Sequence, residues 1–245
     1  MTNLTKKIGS PAPNMAITMY KAWRQLRMKP DTLSWRLRSA LKLSPMNTVI
    51  REIARRGVTV SGLNSLEVFG YTGEHHTLCY FRRVANLEIW EIDGRHEAKL
   101  KKNLPGARSK ITDSYAEIKT TEGRYDLIVI DNLPTTFGDS HCEHFDLLPD
   151  VYRVAKDPVI IIMNVVPFIN EAVRRKYPWI GGARHLQARA QFYETDRPEE
   201  ITPAEMVARY EEISREHGFG VEWSFFQRRD AAISYLTLKL RRATA

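Results

Sequence analysis

The chain has 245 residues, 43% of them hydrophobic, and a formal net charge of +8. That length supports one sizeable buried core, and no apolar run reaches the roughly 18 residues of a membrane span. Cys79 and Cys142 are the only cysteines. They are too few for a disulfide framework and lack metal-site spacing, so a reducing, cytoplasmic setting is expected. No signal peptide is expected either, because Lys6 and Lys7 are not followed by a continuous apolar stretch.

The charge is concentrated at one end. Residues 1–45 carry nine basic side chains and one acidic one, Asp31, which leaves residues 46–245 with 28 of each sign. The body is therefore neutral and the extension basic. Apolar residues at Met15, Met19, Ala22, Trp23 and Leu26 follow helical spacing, and Pro30 breaks that run. Leu33, Leu37, Ala40 and Leu41 form the apolar face of a second helix. A basic amphipathic pair of this kind serves either as a cap on the body or as a dock for lipid headgroups or nucleic acid. Ser44 and Pro45 open a third helix, which holds Val49, Ile50 and Ile53 and stops at Gly57.

An α/β pattern follows. Residues 65–69 read as a short apolar strand that runs into a turn containing Gly70 and Gly73. Residues 74–84 read as a helix, 87–93 as a strand, 95–103 as a helix and 107–113 as a strand. Residues 126–131 form a fourth strand, 143–154 a further helix, and the unbroken apolar run of residues 158–164 a fully buried strand. Residues 168–200 read as an insertion over the site. Thr202 and Glu205 have capping-box spacing at the head of a helix that runs to His217. Two β-rich runs, residues 220–228 and 232–241, then form a hairpin whose last strand is antiparallel to the rest.

Carboxylates recur where strands end. A parallel α/β sheet gathers those ends along one ligand crevice, so repeated acids there suit a ligand rich in hydroxyl and amine donors. Glu67 lies three residues before Gly70, within reach of a ligand amine or an ordered backbone amide. Glu91 lies 24 residues after Glu67, close to the roughly 20-residue separation of a ribose-binding acid from its glycine turn. Asp93 is its rival. Asp113 and Ser114 end the third strand, where they can reach an adenine edge. Asp131 ends the fourth, beside the first. His141, Glu143 and His144 follow it closely, and a near-neutral histidine is a natural base for an alcohol or amine.

From Leu66 to Asp131, with the buried strand and terminal hairpin beyond, the chain resembles the class I S-adenosylmethionine-dependent methyltransferases over about residues 46–241. The stretches Trp90–Asp93 and Tyr125–Asp131 also resemble spermidine synthase. The resemblance implies an α/β, Rossmann-like methyltransferase fold. Its seven-stranded sheet is mostly parallel with an antiparallel last strand, preceded by a helical extension (residues 1–45) and carrying the insertion near residues 168–200. It also implies S-adenosylmethionine as cofactor, held by Glu67, Gly73, Glu91 and Asp113, with Asp131 facing methionine and acceptor. Gly70 in the turn and Ser114 at the strand end complete the candidate cofactor set, and His141 is the candidate base. Phe69 and Tyr71 stand where the family's turn has its first two glycines.

The acceptor expected is a small or lipid-linked anionic metabolite, methylated on oxygen or nitrogen. A nucleic-acid methyltransferase using the basic extension as clamp is the alternative, and Asn132-Leu133-Pro134 echoes the motif of amino-methylating nucleic-acid enzymes. A noncatalytic domain that has lost its cofactor is the third reading. No metal is expected, because Met163-Asn164 at the fifth strand end offers one hard oxygen ligand too few.

Overall fold

A computed structural model of the chain describes residues 37, 40–132, 136–137, 141–142 and 144–243. The expected first helix and most of the second lie outside these residues. The third is helix α1 (Pro45–Arg55), opened by the Ser44 side chain accepting from the Asn47 amide, and it buries Met46, Val49, Ile50 and Ile53. Arg56 and Gly57 follow its end, Gly57 at φ +86°, as a glycine after a helix terminus allows.

The sheet strands are β1 (Asn64–Val68), β2 (Asn86–Glu91), β3 (Arg108–Ile111), β4 (Tyr125–Ile130), β7 (Ala155–Val165), β8 (Phe219–Arg228) and β9 (Ser234–Arg242); β5 (Thr136–Phe137) and β6 (His141–Cys142) form a separate small hairpin. The seven strands are ordered β3-β2-β1-β4-β7-β9-β8. β1 to β4 and β7 run parallel, and β9 is antiparallel to both its neighbours, β7 and β8. The order reverses between β1 and β4, which creates the switch point where ligands bind in open α/β sheets.

Strand parity divides the core. Leu66, Val68, Ile128, Ile130, Ile161 and Met163 pack on one face, and Leu87, Ile89, Leu127, Val129, Ile160 and Ile162 on the other. Both faces are buried, as a parallel sheet covered on two sides requires. Glu67 has the parity of the second face, where it registers with Val129.

Helices α2 (Glu97–Asn103) and α3 (Ser114–Thr120) link β2 to β3 and β3 to β4. The insertion holds α5 (Glu171–Lys176) and α6 (Ala183–Tyr193), after the short α4 (Leu148–Val151). Phe168 bridges Glu200, closing the insertion's two ends together. Its residues Ile169, Val173 and Ile180, with Val166 just after β7, pack with Ala232 and Ile233 of the terminal hairpin. Helix α7 (Pro203–Glu216) starts with the complete Thr202/Glu205 capping box. No helix among the described residues is long and apolar enough to cross a membrane.

Three expected elements are corrected. Residues 74–84 contain a single 3-10 turn (His76–Cys79) in place of a helix, and His75 precedes it at φ −114°, ψ −110°. The physical reason is polar: His76, Thr77 and Tyr80 are all turned inward to buried carboxylates. The helix expected over residues 143–154 is shortened to α4, because Pro149 lies inside it; a proline ring clashes with the preceding turn and offers no amide donor. The third strand stops at Ile111, and Asp113 is instead the N-cap of α3, its side chain accepting from Tyr115.

Candidate functional site

The turn after β1 carries two strained residues. Phe69 and Tyr71 have φ +65° and +49°, and Gly73 has +64°. The left-handed conformation costs a non-glycine residue about 1–2 kcal/mol, so the surroundings must hold it. They do so from β2: the Gly70 amide donates to the Trp90 carbonyl at 2.8 Å, and the Tyr71 amide donates to Glu91 Oε2 at 2.5 Å. Two non-glycine residues are thus held in the left-handed conformation that glycine favours. Gly70 and Gly73 themselves serve packing. A Cβ at Gly70 would meet Ile89 Cγ2 at 2.1 Å, and one at Gly73 would meet Leu104 Cδ1 at 2.4 Å.

Glu91 is buried. Besides the Tyr71 amide, its carboxylate accepts from the Asp93 amide at 2.8 Å and faces His96 Nδ1 at 3.3 Å. A carboxylate offers about four acceptor positions, so about one remains for a hydroxyl. The next residue, Ile92, is 69% exposed, and Ile111 at the end of neighbouring β3 is 37% exposed. A Cβ on Gly94 would lie 3.7 Å from Ile111 Cγ2. Exposed Asp113 follows, its Oδ1 accepting from the Tyr115 amide at 2.9 Å; Ser114 beside it is buried. Two open isoleucines between two carboxylates are suited to a flat heteroaromatic ring joined to a diol.

Glu67 is placed differently from the expectation. It is 3% exposed, and it accepts from Thr77 Oγ1 at 2.7 Å and from the Tyr80 hydroxyl. Burial pushes its carboxyl up to about 8, against the lowering effect of those two hydrogen bonds. The residue that sequence spacing offered to a ligand amine is internal.

Asp131 is also held from within. Its Oδ1 accepts from Arg229 Nη1 at 2.7 Å and from Asn164 Nδ2, and its Oδ2 lies 3.1 Å from His76 Nε2. The other ring nitrogen of His76 meets the Tyr235 hydroxyl. Burial, then the nearby Arg229 and His75, hold His76 well below its ordinary value, so it is a neutral imidazole. With Nε2 protonated it faces the carboxylate and Nδ1 accepts from Tyr235. This ring of Asp131, Arg229, Asn164, His76 and Tyr235 was not foreseen. Nothing in local spacing could have shown it, since Arg229 stands 98 residues from Asp131.

His141 belongs to β6, and nothing is described of its side chain. His144 is fully buried against Tyr210, stacked with it and edge-on to Phe145, so it belongs to the core. Glu143 lies outside the described residues.

No known family model matches the chain, and no curated protein matches its sequence. Solved structures do match. Magnesium protoporphyrin IX methyltransferase from Synechocystis PCC 6803, crystallised with S-adenosylhomocysteine, aligns with a TM-score of 0.53 at 13% identity, covering 92% of this chain and 95% of that one. The 1,6-didemethyltoxoflavin-N1-methyltransferase of Burkholderia thailandensis aligns with a TM-score of 0.52 at 13% identity, covering 98% and 94%. The fold is that of the class I methyltransferases. The seven strands, the place of β4 beside β1 and the antiparallel β9 agree with the expectation from sequence.

Proposed function

We propose that the chain is an S-adenosylmethionine-dependent methyltransferase acting on a small-molecule acceptor. The observation that carries this reading is the arrangement at the ends of β2 and β3, where the partly satisfied Glu91 carboxylate lies beside the open side chains of Ile92 and Ile111. This donor set fits the nucleoside half of the cofactor: Glu91 for ribose hydroxyls, the isoleucines for the faces of adenine and Asp113 for its edge. Both structures named above are of methyltransferases, and both were crystallised with S-adenosylhomocysteine, which supports the choice of ligand.

When bound, S-adenosylmethionine supplies an electrophilic methyl group on a sulfonium. What this chain contributes is alignment, for which effective molarities allow on the order of 7–11 kcal/mol. Glu91 also ties the Tyr71 amide, so the same carboxylate positions ligand and turn. Asp131, taken up by Arg229, Asn164 and His76, is a positioning residue at the strand ends. His141 is the proposed proton acceptor, and a pH–rate profile that loses its acidic limb in His141→Gln would test that role.

The neutral body, with its basic residues confined to the extension, favours a small acceptor over a polyanion. Calorimetric titration with S-adenosylhomocysteine tests the reading. Binding should weaken by roughly tenfold or more in Ile92→Glu, which places charge where an apolar ring must be buried. Equal affinity in that variant removes the assignment.

A further inference from the structure

Six large apolar side chains among the described residues are exposed, and three of them lie close together: Leu37, Leu41 and Leu43, at 59%, 58% and 69%. Two of the others, Ile92 and Ile111, belong to the nucleoside site at the ends of β2 and β3. Exposed apolar residues scattered singly are ordinary, but clustered ones mark a contact surface. The Leu41 amide donates to the Leu37 carbonyl at 2.9 Å, which closes one helical turn and sets both side chains on one face. Ala40 is exposed as well. Lys42 then takes a left-handed φ of +56° and ends that turn. Burial begins abruptly at Ser44. Ser44 and Met46 are wholly enclosed, and Ser44 Oγ lies 2.8 Å from Cys79 Sγ. The chain is thus fastened to the body from Ser44 onward, with its leucines in water just before.

The sequence around these leucines is basic. Residues 1–45 carry nine Lys and Arg against Asp31, whereas the body balances its charges. On a helical projection of the sequence, Arg36 and Arg38 flank the stripe of Leu33, Leu37, Ala40 and Leu41. Trp23 and Trp35 add the aromatic type enriched at membrane–water interfaces. We infer that the extension up to Leu43 is a dock for the surface of a bilayer that carries anionic headgroups. The leucines enter the interface, and the lysines and arginines meet the headgroups. A helical cap would turn Leu37 and Leu41 toward the body, and both face water. A nucleic-acid clamp uses the cations but leaves the leucines without a partner. A second copy of the chain brings the same positive excess and repels it. An anionic bilayer answers both the charge and the leucines. The stripe is far shorter than the roughly 20 residues of a membrane span, so the contact is with the surface. The dock does not depend on the chemistry at the strand ends.

Co-sedimentation of the full chain with vesicles tests this, using phosphatidylcholine alone and phosphatidylcholine mixed with phosphatidylglycerol. Binding to the mixed vesicles should be at least roughly tenfold tighter and should weaken as salt is raised. Leu37→Gln combined with Leu41→Gln should weaken it by roughly tenfold or more. The melting temperature of that variant should not move, because both side chains are already in water. Arg36→Glu combined with Arg38→Glu should lower vesicle binding by at least roughly tenfold without touching a leucine. Equal binding to neutral and anionic vesicles, or undiminished binding in the leucine variant, overturns the dock. A lower melting temperature in the leucine variant would show that the leucines pack on the body and overturns it too. Fluorescence anisotropy with a single-stranded RNA oligonucleotide supplies the competing outcome. Salt-sensitive RNA binding without vesicle binding would assign the extension to nucleic acid instead.

Discussion

Arg229, in the turn between β8 and β9, donates from Nη1 to Asp131 Oδ1 at 2.7 Å, joining the last hairpin to the end of β4. The next residue, Asp230, accepts from the Tyr177 hydroxyl at 2.5 Å and lies 3.4 Å from Lys176 Nζ, both just after or within α5. Two consecutive residues thus tie the strand ends to the insertion that leaves β7. Both Asp131 and Arg229 are largely shielded from water, with side-chain exposures of 5% and 16%.

Removing one partner of such a pair strands the other as an uncompensated charge. Arg229→Met should destabilise the fold by about 3–5 kcal/mol. Arg229→Met combined with Asp131→Asn should recover a large part of that loss, because no buried charge then remains. Urea denaturation of the three variants checks this as a double-mutant cycle. Additive losses would mean that the two side chains do not interact.

Glu67 makes stability depend on pH. Its folded value, raised to about 8, lies above the ordinary 4.5, so the folded state holds a proton that the unfolded chain releases. The contribution is complete below about 4.5 and is lost as pH rises toward 8, at no more than about 1.4 kcal/mol per pH unit. His76 acts oppositely: held below 6.5 in the fold, it weakens the protein as pH falls under that value. Glu67→Gln keeps a neutral side chain throughout and should flatten the decline between pH 5 and 8. Denaturation midpoints across that range, compared with the unmodified chain, are the readout; parallel curves would show that Glu67 is ionised in the fold.

Tyr71 sets strain against packing. Its ring lies 4.5 Å from that of His96 in an edge-on contact, while its φ of +49° is left-handed. Glycine in its place relieves about 1–2 kcal/mol of strain and gives back roughly 0.5–1 kcal/mol in backbone entropy. Tyr71→Gly should therefore change stability by less than about 1 kcal/mol despite deleting a ring. A loss well beyond that, read by thermal denaturation, would show that the aromatic contact dominates.

The Thr202 hydroxyl accepts from the Glu205 amide at 3.2 Å, and Glu205 returns the bond at 2.7 Å. Thr202→Ala should cost about 1 kcal/mol, with Glu205→Ala adding little in that background. Independent losses would mean that the two bonds do not act as one cap.

These cases show what the sequence could disclose. Alternating and continuous apolar runs mark the sheet strands other than β3, because burial leaves a pattern in residue order, whereas the polar β3 is marked only by the acid that follows it. The capping box of α7 was equally plain, since its two partners stand three residues apart. The helix expected after Gly73 is absent: helical periodicity does not report that Thr77 and Tyr80 turn toward Glu67, or His76 toward Asp131. Spacing marks Glu91 and strand-end position marks Asp113 as candidates, and neither marks Ile92. Its signal was an apolar residue alternating with two acids in Glu91-Ile92-Asp93, which leaves it exposed when Glu91 turns inward. Arg229 and Asn164 reach Asp131 only through the folded sheet order, beyond the reach of any local motif.

A crystal of the protein soaked with S-adenosylhomocysteine tests the central claim most directly. The account predicts density for adenine between Ile92 and Ile111, with ribose oxygens within hydrogen-bonding distance of Glu91. A crystal that takes up no nucleoside at saturating ligand, or a nucleoside seated away from the ends of β2 and β3, would contradict it.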